Sequence, residues 1–498
     1  MRSTKKKKDL HRLIHAMSKS EKRYFTLDAQ KSGKKNAAYL QLFKAIGKMD
    51  TYDEAVLKKD FKHLAVDKSY LYDAILRSMR DYHSKKSRAA QIKEKLIDAK
   101  YLYERELYDL CELALQEAKE MATDLGDHLS LLEINKQLRK VVKTTKKGIA
   151  EGKLTDLQEE TRSISSGLLE EFRTLDVYDN ILAKTFIGEG LKEEEKVRFE
   201  DQLEYFDKRK EKGFDSIAAE HRYYQALGIY HSLLQNNEAY FKASEQVMNW
   251  WDRHPIYKDE EFYNYIIDVS NFLAACFRRE RFDLFNELLQ RLEDENPSSI
   301  HHQKVLFQRL AQFKLVYSIN LGIVDNAIRV AQSIEEGLSK FTINPSTEKV
   351  LLMNMAILLF IAEEQSECLK WSNLLIRNKS QVRLDINRGI YFIKLIAAYE
   401  IDDFDLVENT YRSANRFLSK TQPQHINYYI QFLTQFKKVV DSPLSELKEQ
   451  LKQLKSYIEL MRSEISGRVP LGGVDEMTMC WIDSRLERKS IAEIVKGN

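Results

Sequence analysis

A chain of 498 residues with 43% apolar and 31% charged side chains holds enough apolar material for a folded core and too much for a disordered chain. Its six prolines, all from Pro255 onward, and 17 glycines are few, so long helices are expected and an all-β fold is not. The net charge is only +3, yet residues 1–90 hold 23 basic and 10 acidic side chains, a net of +13, against −10 for the remainder. That shift places a boundary near residue 90.

The opening MRSTKKKKDLHRLIHAM has the basic flank of a signal peptide, but His11, Arg12 and His15 interrupt the apolar run such a peptide needs. Lys5, Lys6, Lys7 and Lys8 read as a solvated tail, with contact to nucleic-acid phosphate as the functional alternative. Next, TYDEAVLKKDFKHLAVDKSYLYDAILRSMRDYH is expected to form two helices around LAVDKS, with Asp53 as a cap. Leu64 and Val66 suit the core of a helix-turn-helix, whose second helix would present Lys68, Ser69, Tyr70 and Arg77 to a major groove. Against that, Phe61 stands where the motif prefers a small residue. Tyr70, Tyr72, Leu76 and Met79 equally suit packing on the following element.

From residue 91 the pattern becomes periodic. Apolar residues at a start position and three, seven and ten residues later mark one face of a helix. Such faces begin at Tyr108, Leu154, Lys196, Tyr240, Phe282, Val324, Ser366, Phe404 and Leu444, and 32 of the 36 positions are apolar or aromatic. Successive starts lie 46, 42, 44, 42, 42, 42, 38 and 40 residues apart. At Ser366 the register is open by one residue, because Cys368, Trp371 and Leu375 compete for the same face. Between the stripes lie second helical segments such as EEFYNYIIDVSNFLAACF, and turns such as LQNNEAY, INLGIVD and EIDDFD join the pairs. A period of this length means stacked units. Burying four apolar side chains yields roughly 6–12 kcal/mol, whereas ordering a 15-residue helix costs about 15–30 kcal/mol of backbone entropy. One pair therefore needs neighbours over its other face.

The second helix of several units opens alike, with YDLC at Tyr108, YFKA at Tyr240, FDLF at Phe282, VDNA at Val324 and FDLV at Phe404. This resembles the tetratricopeptide repeat, whose second helix opens with Tyr-Asp and a small residue three positions after the Tyr, and has Pro fifteen residues past that Tyr. Pro255 and Pro297 stand at that distance from Tyr240 and Phe282. The family period is 34, shorter than here, and its Trp-Leu-Gly signature is absent; HEAT-like units come nearer in length. The expected fold is all-α: a superhelix of about nine antiparallel helix pairs over residues 91–464, after a basic helical segment over 1–90. Residues 465–498 would supply the break SGRVPLGG and a capping helix from about Asp475, with a flexible tail that hooks a partner as the rival reading. In that helix Met477, Trp481 and Leu486 would pack, while Arg485, Glu487, Arg488 and Lys489 stay wet.

Motifs for catalysis are missing. There is no GxxxxGK[ST], HExxH or GxSxG. GEGLKEEEK at Gly188 reads as a turn between helices, with Glu193, Glu194 and Glu195 favouring a helix N-terminus. His301 and His302 are adjacent and point about 100° apart on a helix, so they cannot share a metal. Cys111, Cys276, Cys368 and Cys480 have no metal-ligand spacing and read as buried thiols of a reducing cytoplasm. The apolar run VLLMNMAILLFIA, Val350 to Ala362, is 13 residues holed by Asn354, too short for a bilayer. No enzyme activity, cofactor, metal or membrane insertion is expected.

The resemblance implies a groove on the first helices of the pairs, where Asn, Lys and Arg hold a ligand's backbone or terminal carboxylate. The matching polar positions are Asn264, Asn271, Gln308, Gln312, Asn354, Arg388, Asn427 and Gln431; for most, a solvated face is the plainer account. Asn354 is sharper, because a buried amide costs about 1–3 kcal/mol without a partner. The function expected is a non-catalytic scaffold or adaptor for a protein or peptide. The alternative is a nucleic-acid-binding regulator with an N-terminal helix-turn-helix and a peptide-sensing array.

Overall fold

The computed structural model describes residues 10–31, 37–85, 87–187, 191–421, 426–464 and 474–497. Among these residues every regular element is a helix and no strand occurs. None of the described helices is long and apolar enough to cross a membrane. The chain divides into two compact units, Met1–Leu288 with Pro297–His302, and Leu289–Asn296 with Gln303–Asn498. Within each, helices pack on their neighbours in chain order, the stacking expected of an α-solenoid.

The first unit opens with α1 (10–16), α2 (Lys19–Lys31), α3 (Ala38–Gly47), α4 (Glu54–Asp60) and α5 (Leu64–Ser84). Ile14, Phe25, Leu40, Phe43, Ile46, Leu71 and Ile75 form their core. Asp53 caps α4 as expected, accepting from the backbone N–H groups of Ala55 at 2.8 Å and Val56 at 3.4 Å. The break falls at Phe61–His63, however, so LAVDKS lies inside α5 and is not the turn. Leu64 is buried, but Val66 is 69% exposed and takes no part in the core.

The unit continues with α6 (Arg88–Glu104), α7 (Tyr108–Asp124), α8 (His128–Thr145), α9 (Lys153–Ile187), α10 (Glu193–Lys212), α11 (Ile217–Leu233), α12 (Asn237–Arg253), the short α13 (Ile256–Glu260), α14 (Phe262–Arg278) and the start of α15 (Phe282–Glu293), whose residues from Leu289 onward belong to the second unit. Stripe residues Cys111, Leu115, Ala118, Phe199, Leu203, Phe206, Ala243, Val247 and Trp250 are all buried. On α15 the buried face is Phe285, Leu288 and Leu292, while Leu289 is half-buried. The stripe starting at Leu154 shares its helix with the segment that follows. At 35 residues, α9 is about 52 Å long, and no turn divides it. Gly167 near its middle allows a close approach: a Cβ there would stand 2.5 Å from His128 Nε2.

In the second unit α16 (Ile300–Asn320), which enters it at Gln303, is followed by α17 (Ala327–Lys340), α18 (Pro345–Ile361), α19 (Gln365–Arg377), α20 (Leu384–Glu400), α21 (Phe404–Thr421), α22 (Ile426–Asp441), α23 (Leu444–Glu464), α24 (Val474–Glu487) and α25 (Ile491–Gly497). The run 351–361 is buried except at Asn354, as suits a helix covered on all sides. On α19 the competing residues Cys368, Trp371 and Leu375 are all buried, together with Gln365, Leu369 and Ser372, while Ser366 is exposed and Asn373 and Ile376 are half-buried. Leu444 at the start of α23 is 90% exposed, and the stripe is buried only from Leu451 through Leu454 to Ile458. The SGRVPLGG break lies outside the described residues. Beyond it α24 packs on α23 and α20. Trp481 Nε1 donates to Glu400 Oε1 at 2.7 Å, and Arg485 forks onto the same carboxylate. Met477 and Trp481 are buried there, and Glu487, Arg488 and Lys489 are exposed.

One turn recurs. Glu106, Gln235, Glu280, Glu363 and Asp402 all have φ between 56° and 61°, each two residues before a following helix. The next N–H reaches back to the last turn of the preceding helix, as from Arg281 to Cys276 O at 2.9 Å and from Glu364 to Leu359 O at 3.0 Å. This is the left-handed C-terminal cap in which Gly is the usual residue. Gly126 and Gly322 fill the same cap after α7 and α16, but polar residues fill the five above, so those five carry no glycine signal.

Candidate binding cleft

In the first unit α9, α11, α12 and α14 enclose a cleft of about 360 Å3. Tyr178, Leu182 and Thr185 come from α9, and Tyr224, Gln225, Gly228, Ile229 and Ser232 from α11. Tyr240, Ser244 and Val247 belong to α12, and Ile267, Asp268, Asn271, Ala274 and Arg278 to α14. Helix periodicity explains the α14 set, since residues 267, 271, 274 and 278 recur at steps of three and four on one face.

Asp268 forms the floor and is 3% exposed. A carboxylate at that depth is stable only with its lone pairs occupied. Gln225 Nε2 donates to both oxygens at 2.8 and 2.9 Å, Trp251 Nε1 donates to Oδ2 at 2.9 Å, and His221 Nε2 lies 2.8 Å from Oδ2. Two tyrosines of the lining, Tyr240 and Tyr178, each carry a guanidinium, that of Arg278 in the lining and that of Arg222 beside it. Arg278 lies 5.1 Å from the Tyr240 ring centroid and donates to Ser232 Oγ at 3.1 Å. Arg222 lies 5.2 Å from the Tyr178 ring and donates to Gln225 Oε1 at 2.7 Å. Burial pushes the hydroxyl pKa values of Tyr178 and Tyr240 upward, so both rings stay neutral. The Tyr240 hydroxyl donates to the Asn271 backbone oxygen at 2.8 Å.

Of the groove positions read from the sequence, Asn271 lines this cleft and is exposed. Asn264, two turns earlier on α14, is instead bonded to Glu261. In the second unit Gln308, Gln312 and Asn354 are half-buried, and Asn427 and Gln431 are exposed. Arg388 is half-buried with its guanidinium 5.6 Å from the Tyr429 ring. A smaller cleft of about 140 Å3 in that unit is lined by other residues, including Phe404, Tyr411, Phe436 and Lys437. The sequence reading missed Asp268, Arg278, Arg222 and the cleft tyrosines. A signal for Asp268 was present: it is a lone carboxylate inside the apolar run YIIDVSNFLAACF.

The residues assigned to a major groove are divided by the structure. Ser69, Tyr70 and Arg77 are exposed on α5, but Lys68 is buried, hydrogen-bonded to Tyr52 and 3.4 Å from Glu54 Oε2. It faces inward because it lies one turn past the buried Leu64. Lys5, Lys6, Lys7 and Lys8, and the glycines at 188 and 190, lie outside the described residues. His301 and His302 pack on Tyr263 and Phe262 respectively. Among the described residues no cluster of His, Cys, Asp and Glu could hold a metal ion.

Fold and cleft together define an all-α protein of stacked helices with a mixed polar and aromatic groove. Comparison of the chain with protein-family models, curated proteins and solved structures found no match.

Proposed function

We propose that this chain is a non-catalytic binding protein, a scaffold or adaptor that holds an extended segment of a partner protein in the α9–α14 cleft. The observation that carries this reading is the cleft itself. It joins apolar walls at Leu182, Ile229, Val247 and Ile267 to convergent polar groups at Gln225, Ser232, Asn271 and Arg278, the mixture that recognises a peptide. The recurring left-handed turn and the helix starts at Tyr108, Phe282 and Phe404 support a tetratricopeptide-like repeat. All four cysteines are free and buried, which suits a reducing cytoplasm. A photo-cross-linking residue at position 271 tests the site. Partner peptides cross-linked there support it; partners that cross-link only at positions outside the cleft overturn it.

A second reading follows from the exposure of Ser69, Tyr70 and Arg77 on α5 within a segment of net charge +13. On it, residues 1–90 contact nucleic-acid phosphate. Retention on DNA that weakens with salt supports this reading; no retention by the full chain at about 50 mM salt removes it.

A further inference from the structure

The charge of the cleft narrows the partner. Arg278 on α14 lines the cleft, and Arg222 on α11 stands beside it, over Tyr178 and bonded to Gln225, both of which line it. Each guanidinium lies over a tyrosine ring and, among the described residues, is hydrogen-bonded only to a neutral oxygen, that of Gln225 or Ser232. Neither guanidinium has a carboxylate within ion-pair distance among the described residues, while much of the remaining surface is laced with Lys/Arg–Asp/Glu pairs, as at Arg253–Glu220 and Arg279–Glu238. The cleft's own acid, Asp268, cannot serve them: it is buried and its oxygens are occupied by Gln225, Trp251 and His221.

We infer that the cleft takes a peptide segment bearing carboxylate side chains, Asp or Glu, which pair with Arg278 in the cleft and with Arg222 beside it. The inference rests on the reading of the cleft as a peptide site. A guanidinium stacked on an aromatic face loses little freedom on binding and presents its N–H edge as a planar fork, which matches a carboxylate. Phosphate groups of phosphorylated segments are held by clustered arginines, whereas the lining here has Arg278 alone, with Arg222 beside it. The apolar lining at Leu182, Ile229 and Ile267 asks for an aliphatic or aromatic residue between the acids.

The test uses the full chain to select from a randomised twelve-residue peptide library, with Asn271→Trp as a variant that fills the cleft from an exposed position. Peptides lost on Asn271→Trp should be enriched in Asp and Glu over the input. Their affinity should fall about tenfold or more in Arg278→Gln and in Arg222→Gln, and should weaken with salt. Arg278→Lys should restore only part of it. Neutral or basic peptides that are lost on Asn271→Trp yet indifferent to both arginines would overturn the acidic class and leave the cleft standing. Phosphoserine in place of the enriched acid, binding more than tenfold tighter, would overturn carboxylate in favour of phosphate. Peptides indifferent to Asn271→Trp would overturn the cleft as a peptide site, and this inference with it. Melting temperatures of the variants close to that of the parent exclude misfolding as the cause.

Discussion

The imidazole of His221 lies flat on the indole of Trp250, with centroids 4.1 Å apart and planes 8° from parallel. Its Nε2 sits at the same time 2.8 Å from Asp268 Oδ2. One ring thus ties α11 to both α12 and α14. Removing the carboxylate leaves the donors of Gln225 and Trp251 buried without an acceptor. Asp268→Ala should destabilise the chain by about 3–5 kcal/mol, read as a lower urea midpoint by tryptophan fluorescence. A midpoint equal to the parent's would mean that the network does not hold the cleft together.

Stability should depend on pH through His128. Its Nδ1 lies 2.6 Å from Glu171 Oε1, and this hydrogen bond raises the imidazole pKa above its ordinary value despite the opposing effect of burial. A base whose folded pKa is raised contributes stability that is complete below its unfolded value, near 6.5, and lost as pH climbs through the folded value. The parent's advantage over His128→Gln should therefore shrink as pH rises from about 6 to 8. A difference that stays flat across this range would show that the pair does not titrate as described.

Lys349 is fully buried and donates to the Ser380 and Val382 backbone oxygens and to Asn387 Oδ1, at 2.7, 2.9 and 2.5 Å. It anchors the segment between α19 and α20 to α18. Lys349→Met fits the apolar stem but strands three acceptors, at roughly 1–3 kcal/mol for each that stays unsatisfied. Faster amide exchange over 378–383 should accompany the loss of stability. Unchanged exchange there would assign the segment's order to other contacts.

The recurring left-handed turn predicts stabilising substitutions. Glu280 is exposed, with φ of 56°, a conformation that costs a non-glycine residue roughly 1–2 kcal/mol. Glycine relieves that cost but adds freedom to the unfolded chain. Glu280→Gly should gain up to about 1 kcal/mol, whereas Glu280→Val should lose stability. A loss with glycine would contradict the turn.

At the C-terminal end Trp481 is fully buried between α24 and the helices beneath it. Trp481→Ala should cost about 3–5 kcal/mol, measured by thermal unfolding. It should also speed tryptic cleavage at Arg485 and Arg488, because Glu400 then loses one of its donors. Equal cleavage rates would mean that α24 is held by other contacts.

By itself the sequence determined the helices and much of their buried faces. That information is local: a face repeats every three or four residues, and Cys111, Leu115 and Ala118, or Phe199, Leu203 and Phe206, lie within one helix. Tertiary contact decided the rest. Local pattern permitted two registers on α19, and packing buried Cys368, Trp371 and Leu375 while keeping only Leu369 of the other. Lys68 looked like a surface cation until Tyr52 and Glu54 were brought to it. Both α9 and the five turns with a polar residue at positive φ defeated punctuation rules, because neighbouring helices hold conformations that propensity alone disfavours. The cleft was the least legible feature. Its walls come from four helices, and Asp268 is made tolerable by Gln225 and His221, 43 and 47 residues away. A chain read one stretch at a time carries no record of which distant donors will satisfy a buried acid.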